Sequence, residues 1–224
     1  MAADLSRGVA LLVGATGLIG SHLLDHLIAS GRYADIIVIA RRQSAELSYA
    51  AREALRAGRL RWNTFDQPFP EHVDHFYCAL GTTQKASGKS GLAAVDRDLV
   101  IDLANKAADT GAQLLSVVSA TGADAGSMFF YNRIKGEMEL SVSRLGVPCI
   151  QFWQPSVLLG ERDEFRLAEK FAGVFLRSPL PKNVQARKGA CVASAMVEAA
   201  SQISTGIHRF KVREIDMFNS GETV

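Results

Sequence analysis

Short aliphatic runs recur along this chain, each followed by a longer stretch with apolar positions at helical spacing. Val9–Val13, Ile36–Ala40, Leu60–Phe65, His75–Leu80, Leu114–Val118 and Cys149–Trp153 are the runs. They are five or six residues long, and Val9–Val13 and Ile36–Ala40 are apolar throughout, the pattern of strands covered on both faces. After the first run, the pairs Leu18/Ile19, Leu23/Leu24 and Leu27/Ile28 keep one stripe of a helix inward, and Gly31 stops it. Further helices are expected over 44–58, 95–109, 128–145, 161–177 and 189–203. In the fourth of these, Phe165, Ala168, Phe171 and Phe175 share one side, and Ser178–Pro181 breaks it. Pro68 and Pro70 mark a loop, and Lys85 to Gly91 is expected to be a polar, flexible edge.

Strands that alternate with helices predict an α/β fold, a Rossmann-like doubly wound parallel sheet. No linker divides the chain, so residues 1–224 are expected to form a single domain. Within it, 156–224 would cap the strand ends as a small C-terminal substrate-pocket region.

The first strand runs into Gly14-Ala15-Thr16-Gly17-Leu18-Ile19-Gly20 and then directly into a helix. Three glycines between a strand and a helix permit a tight turn, a close backbone approach and tight helix–strand packing. The helix start then offers free N–H groups to a pyrophosphate. The spacing is G-x-x-G-x-x-G, so its context carries the inference. About twenty residues past these glycines, NAD-selective folds place a carboxylate for the ribose hydroxyls. Here that place holds Arg41 and Arg42. A guanidinium grips a 2′-phosphate that a carboxylate would repel. The expected cofactor is therefore NADP(H). Ligands in such sheets bind beyond the carboxyl ends of the strands. Gly14, Arg41, Asp66, the Leu80-Gly81-Thr82-Thr83 stretch, Ser119 and Pro155 all fall at such ends. All but Ser119 are expected to line the cofactor.

Tyr131 and Lys135 lie four residues apart on an expected helix and project from one face. A phenol ionises near pH ~10, and a neighbouring ammonium lowers that value. Tyr131 is then expected to act as acid/base on a carbonyl/alcohol pair. Ser119 would hold the substrate oxygen, and Lys135 would also hold the nicotinamide ribose. His22 and His26 are read as helix surface, since no third metal ligand accompanies them. No G-x-S-x-G elbow is present.

Composition adds bounds. Lys and Arg number 25 against 23 Asp and Glu, a difference of +2, which calls for neither nucleic acid nor an anionic membrane. Cys78, Cys149 and Cys191 are few, odd in number and far apart, as in reduced proteins. No apolar stretch reaches bilayer length and Met1–Arg7 has no signal-peptide pattern. The expected location is the cytoplasm, and the expected partner a small-molecule substrate, with the protein a monomer or a homodimer.

Four segments carry a resemblance over nearly the whole chain. They are Gly14–Gly20, Leu80–Thr83, Ser119-Ala120-Thr121-Gly122-Ala123-Asp124 through Tyr131-Asn132-Arg133-Ile134-Lys135-Gly136-Glu137, and Leu158-Leu159-Gly160-Glu161-Arg162. Together the chain resembles the atypical short-chain dehydrogenase/reductases, in the NAD(P)-binding branch of the human Tat-interacting protein. The resemblance implies a Rossmann-type fold, NADP(H) and a Ser119–Tyr131–Lys135 group. It fixes no substrate, because that branch mixes presumed reductases with regulators. The family often has an Arg before the proline after the sixth strand, where this chain has Gln154-Pro155. Two other functions remain open: a cofactor-binding regulator with little chemistry, and an epimerase of nucleotide sugars, which the short C-terminal region disfavours.

Overall fold

The computed structural model describes residues 8–44, 46–82, 84–155, 158–159 and 187–220. Its main sheet is built from β1 (Gly8–Val13), β2 (Tyr33–Ile39), β3 (Leu60–Asn63), β4 (His75–Cys78), β5 (Leu114–Val118), β6 (Cys149–Trp153) and β9 (Gly206–Phe210). The order is β3-β2-β1-β4-β5-β6-β9, with every pairing parallel. A short parallel pair, β7 (Leu158–Leu159) with β8 (Arg187–Lys188), stands apart.

Helices cover both faces, because parallel strands need crossovers and each crossover returns over the sheet. The helices are α1 (Leu18–Ser30), α2 (Tyr49–Arg56), α3 (Gln84–Ala93), α4 (Val100–Asp109), α5 (Phe130–Val142), α6 (Gly189–Gln202) and α7 (Val212–Ser220). A π-helical stretch, Ala94–Leu99, leads into α4. Alternate residues of β1 divide the core. Ala10 and Leu12 pack with Leu23 and Leu27 of α1, Val192 and Met196 of α6 and Ile215 of α7. Leu11 and Val13 pack with Leu103 and Ala107 of α4 and Met138 and Val142 of α5.

The six expected strands and the parallel sheet are present. Other expectations shift. The helix expected over 44–58 spans only Tyr49–Arg56, capped by Ser48, whose hydroxyl accepts the Ala51 N–H at 3.1 Å. The polar run 85–91, expected to be flexible, is helical, with a break at Gly88 (φ 68°). The helix expected from 95 opens as the π-helical stretch. The described part of 156–224 adds α6, the seventh strand β9 and α7 to the fold. The expected helix over 161–177 and the break at 178–181 lie outside the described residues.

One close approach sets the loop at Asp124–Ala125 against α5. A Cβ on Gly136 of α5 would overlap the backbone of Asp124 and Ala125. The loop is further tied down by Asp124 N–H donating to the Asn132 carbonyl at 3.0 Å. Ala is better than Gly inside a helix by ~1 kcal/mol, so propensity alone favours Gly136→Ala. Overpacking costs about 1–3 kcal/mol and outweighs it. Gly136→Ala is expected to lower the Tm measured by thermal unfolding; a raised Tm would show that the loop does not press on α5.

Candidate active site

The glycine turn has the geometry its sequence demands. Gly14 has φ +86°, and a Cβ there would stand 2.5 Å from the Ala79 carbonyl carbon and oxygen, just past β4. A Cβ on Gly20 would run into the Gly14 carbonyl oxygen. Gly17 N–H donates to that same oxygen at 3.0 Å and closes the turn. Gly17 is also the N-cap of α1. It supplies no side-chain cap, and the first turn holds no acidic residue. The leading N–H groups of α1 are thus open to an anion. Ala15 is buried, Thr16 is exposed and Ile19 packs into the core, so the turn shows mostly backbone to a ligand. These features fit a dinucleotide pyrophosphate.

Beside the turn lies a cavity of about 480 Å³ lined in part by Thr16, Ala40, Arg41, Arg42 and Glu46. Both arginines follow β2 and are exposed. The Trp62 indole N–H donates to the Arg42 carbonyl at 3.3 Å and ties this loop to β3. Asp66 follows β3, is exposed, and does not line the cavity. A hydrogen bond with Thr64 holds its carboxyl below the usual carboxylate range.

The chemistry-bearing residues gather on the other side of the turn. Lys135 of α5 is 2% exposed, and its Nζ lies 2.9 Å from Oδ1 of Asp96, itself 1% exposed. Asp96 comes from the π-helical stretch, and its Oδ2 accepts the Thr82 N–H at 2.8 Å. Lys135 Nζ also donates to the Val118 carbonyl at 3.4 Å. The ammonium is thereby fixed between the ends of β4 and β5. Burial drives it toward losing its proton; Tyr131 and Asp96 push the other way more strongly, and the net direction is up. Tyr131, one turn earlier and partly exposed, is pushed up by burial, pulled down by Lys135 and pushed up again by Asp96. Its net direction is up. The expected lowering by Lys135 is present and is outweighed.

Ser119 sits at the end of β5, 3% exposed, and its hydroxyl donates to Glu139 Oε1 at 2.5 Å. Its proton is therefore directed into the protein and away from a substrate. Gln154 Nε2 donates to the same oxygen at 2.8 Å, and Arg209 Nε donates to Glu139 Oε2 at 2.8 Å. The position after β6 holds an amide, and the cation that meets this carboxylate comes from β9. Thr121 Oγ1 donates to the Gln154 carbonyl at 2.9 Å, and Thr121 N–H to the carbonyl of buried Pro155 at 3.2 Å. Gly81 follows β4, and a Cβ there would lie 3.5 Å from Asp96 Oδ1. Leu80 packs against the core on the α4 face. Thr83 lies outside the described residues.

Residues 10–125 match the family described as the NAD dependent epimerase/dehydratase family. The chain belongs to it. The protein fmp52, mitochondrial, of Aspergillus niger is 32% identical over 206 residues, covering 87% of this chain and 88% of that protein. The rat protein HTATIP2 is 32% identical over 168 residues, covering 72% of this chain and 69% of that protein. Among solved structures, MoeE5 in complex with UDP-glucose and NAD superposes with a TM-score of 0.66 at 16% identity, covering 95% of this chain and 81% of that one. That likeness shows the Rossmann-like fold. The short-chain dehydrogenase/reductase resemblance stands. The cytoplasmic location expected from the sequence does not, since relatives from Aspergillus niger, Emericella nidulans and Eremothecium gossypii carry mitochondrial names.

Three residues of the site escaped the sequence reading. Asp96 had a signal: Leu92, Asp96, Val100 and Leu103 fall on one stripe at helical spacing. Glu139 had one also, four residues past Lys135 and eight past Tyr131 on the same helix. Arg209 had none, because only the folded sheet brings it to α5. Glu139 is 5% exposed and Arg209 45%. Removing the cation strands a buried carboxylate, whereas removing the carboxylate leaves a cation that water can reach. Arg209→Met is expected to cost about 1–3 kcal/mol in urea unfolding, and Glu139→Gln less. A variant lacking Arg209 that is as stable as the parent would show that the pair holds nothing.

Proposed function

We propose that this chain is an NADP(H)-dependent oxidoreductase of the short-chain dehydrogenase/reductase type, acting on a small carbonyl compound or its alcohol. The observation that carries the reading is the placement of Lys135. Its ammonium is anchored between the ends of β4 and β5, one helical turn from a partly exposed Tyr131, and Gly14 touches the chain just beyond β4. A phenol next to a strand-end cofactor turn is where proton transfer must sit if hydride transfer occurs beside it.

A bound nicotinamide dinucleotide supplies hydride chemistry to such a site. The α1 N-terminus and the backbone of Gly14–Gly20 would hold its pyrophosphate. Arg41 and Arg42 would hold a 2′-phosphate in the cavity beside Thr16. Glu46 in that cavity leaves two cations against one carboxylate, a balance that favours a dianionic phosphate over a neutral hydroxyl. Two of the three N–H directions of Lys135 have acceptors among the described residues, which leaves one for a ribose hydroxyl. Tyr131 would exchange a proton with the substrate oxygen. Ser119, bonded to Glu139, would brace the loop that carries the site, and its binding of the substrate oxygen would require it to leave Glu139. The mitochondrial names of the fungal relatives support the same location for this chain.

Titration of the protein with NADPH and NADH, followed by nicotinamide fluorescence, tests the cofactor. NADPH is expected to bind at least about tenfold tighter, roughly 1.4 kcal/mol, and Arg41→Ala with Arg42→Ala to close the gap. A preference for NADH sinks the 2′-phosphate assignment. Tyr131→Phe is expected to keep NADPH affinity and to abolish NADPH oxidation with a panel of small aldehydes and ketones. Equal turnover by the variant would remove Tyr131 from the chemistry. If NADPH binds and no member of the panel or its alcohols reacts, a cofactor-binding regulator becomes the better reading.

A further inference from the structure

The charge beside Tyr131 is not a lone ammonium. Lys135 meets Asp96 at 2.9 Å with both side chains at most 2% exposed, so the phenol sits next to an ion pair. We propose that Asp96 is a positioning residue that offsets the Lys135 charge and helps to hold Tyr131 as a protonated phenol, the form that gives up a proton in carbonyl reduction. This rests on the reading of Tyr131 as the proton-transfer group.

The geometry gives Asp96 two anchors. One oxygen takes the ammonium, and the other takes the Thr82 N–H at 2.8 Å. The carboxylate is thus fixed from the β4 end, and the π-helical stretch that carries it packs against α5. In low dielectric an unpaired ammonium one turn away would draw the phenol toward ionisation. An ammonium balanced at contact distance by a carboxylate leaves only the residual field of the pair. Burial of the phenol then decides, and it favours the neutral form.

Other charges around α5 are already matched. Glu139, one turn beyond Lys135, is met by Arg209 from β9. Arg97 of the π-helical stretch pairs with Asp98 and with Glu137. Lys89 of α3 and Arg133 lie over the Phe130 ring, and Arg133 also donates to the Ser127 carbonyl. Cys78, at the end of β4, is held as a thiol, pushed up to about 11 chiefly by burial. Among the described residues, Lys135 and Asp96 are the charges that act on the phenol.

A phenol that ionises above its ordinary value near pH ~10 is deprotonated less than about once in a thousand molecules at neutral pH. It is ready to give a proton and seldom ready to take one. In reduction the proton would go from Tyr131 Oη to the carbonyl oxygen while hydride from a reduced nicotinamide would reach the carbonyl carbon, giving an alcohol and the oxidised nicotinamide. Water then returns a proton to the phenolate.

Tyrosinate ultraviolet absorbance, titrated against pH in the full chain, tests this without substrate or cofactor. The difference between the parent and Tyr131→Phe isolates one phenol. It is expected to titrate with a midpoint above about pH 10. Asp96→Asn keeps an acceptor for the Thr82 N–H and removes the charge. In that background the same difference is expected to titrate at least about one pH unit lower than in the parent. Coincident titrations in the two backgrounds would overturn the proposal. So would a parent phenol that ionises below about pH 9, a result that needs no Asp96 variant to fold. With a reducible carbonyl from the panel, Asp96→Asn is expected to bring the alkaline fall of the reduction rate down by the same interval. Behaviour as expected in the absorbance titration, with no carbonyl reduced, would fail the oxidoreductase reading alone.

Discussion

The buried contact between Lys135 and Asp96 organises the active end of this molecule. Charges this deep are tolerated only in pairs, and losing one partner costs far more than the pair contributes. That asymmetry binds four elements to one another. The π-helical stretch brings the carboxylate, α5 brings the ammonium, and the ends of β4 and β5 close the remaining hydrogen bonds. Glycine performs the matching task on the cofactor side. At Gly14 and Gly20 the chain passes so near its neighbours that a single methyl would not fit. One half of the site is held by charge and the other by the absence of side chains.

The fold was legible where burial is two-sided. The runs at Val9–Val13 and Ile36–Ala40 are apolar throughout, and Leu114–Val118 is so but for Ser116, because both faces of those strands are covered. The Gly14–Gly20 turn and the Tyr131/Lys135 spacing are local, and local spacing survives in a sequence. β9 did not announce itself, since it is an edge strand with four of its five residues at least partly exposed. Nor did the helix over 84–93, whose polar composition and interior glycine read as a loop. Its packing against the π-helical stretch is tertiary and leaves no period in the sequence.

Within the site, the sequence revealed which residues exist and not which of them touch. Tyr131 beside Lys135 implied a phenol made more acidic. Burial of the phenol outweighs the ammonium, and a carboxylate from 39 residues upstream offsets part of what the ammonium does, so the net direction is up. Ser119 likewise was placed correctly at a strand end, yet its hydroxyl serves Glu139. Gln154, standing where the family often has Arg, carries no charge, and Glu139 is matched because Arg209 supplies the cation from the neighbouring strand. A charge requirement in a core is met by position in space, and sequence position is only one way to reach it.

The edge location of β9 bears on how the molecule assembles. Domains form as the chain is made, with earlier segments collapsing first. Strands β1 to β6 and α5 precede β9, so a nascent chain can bury most of the sheet before Arg209 exists to meet Glu139. During that interval a carboxylate that the finished protein holds 5% exposed has, among the described residues, Ser119 and Gln154 as partners. The Glu139–Arg209 pair is completed only when β9 docks. Completion of the sheet edge and completion of the Ser119–Glu139–Gln154 cluster become one event, and an interrupted chain would present a sheet with that cluster unfinished.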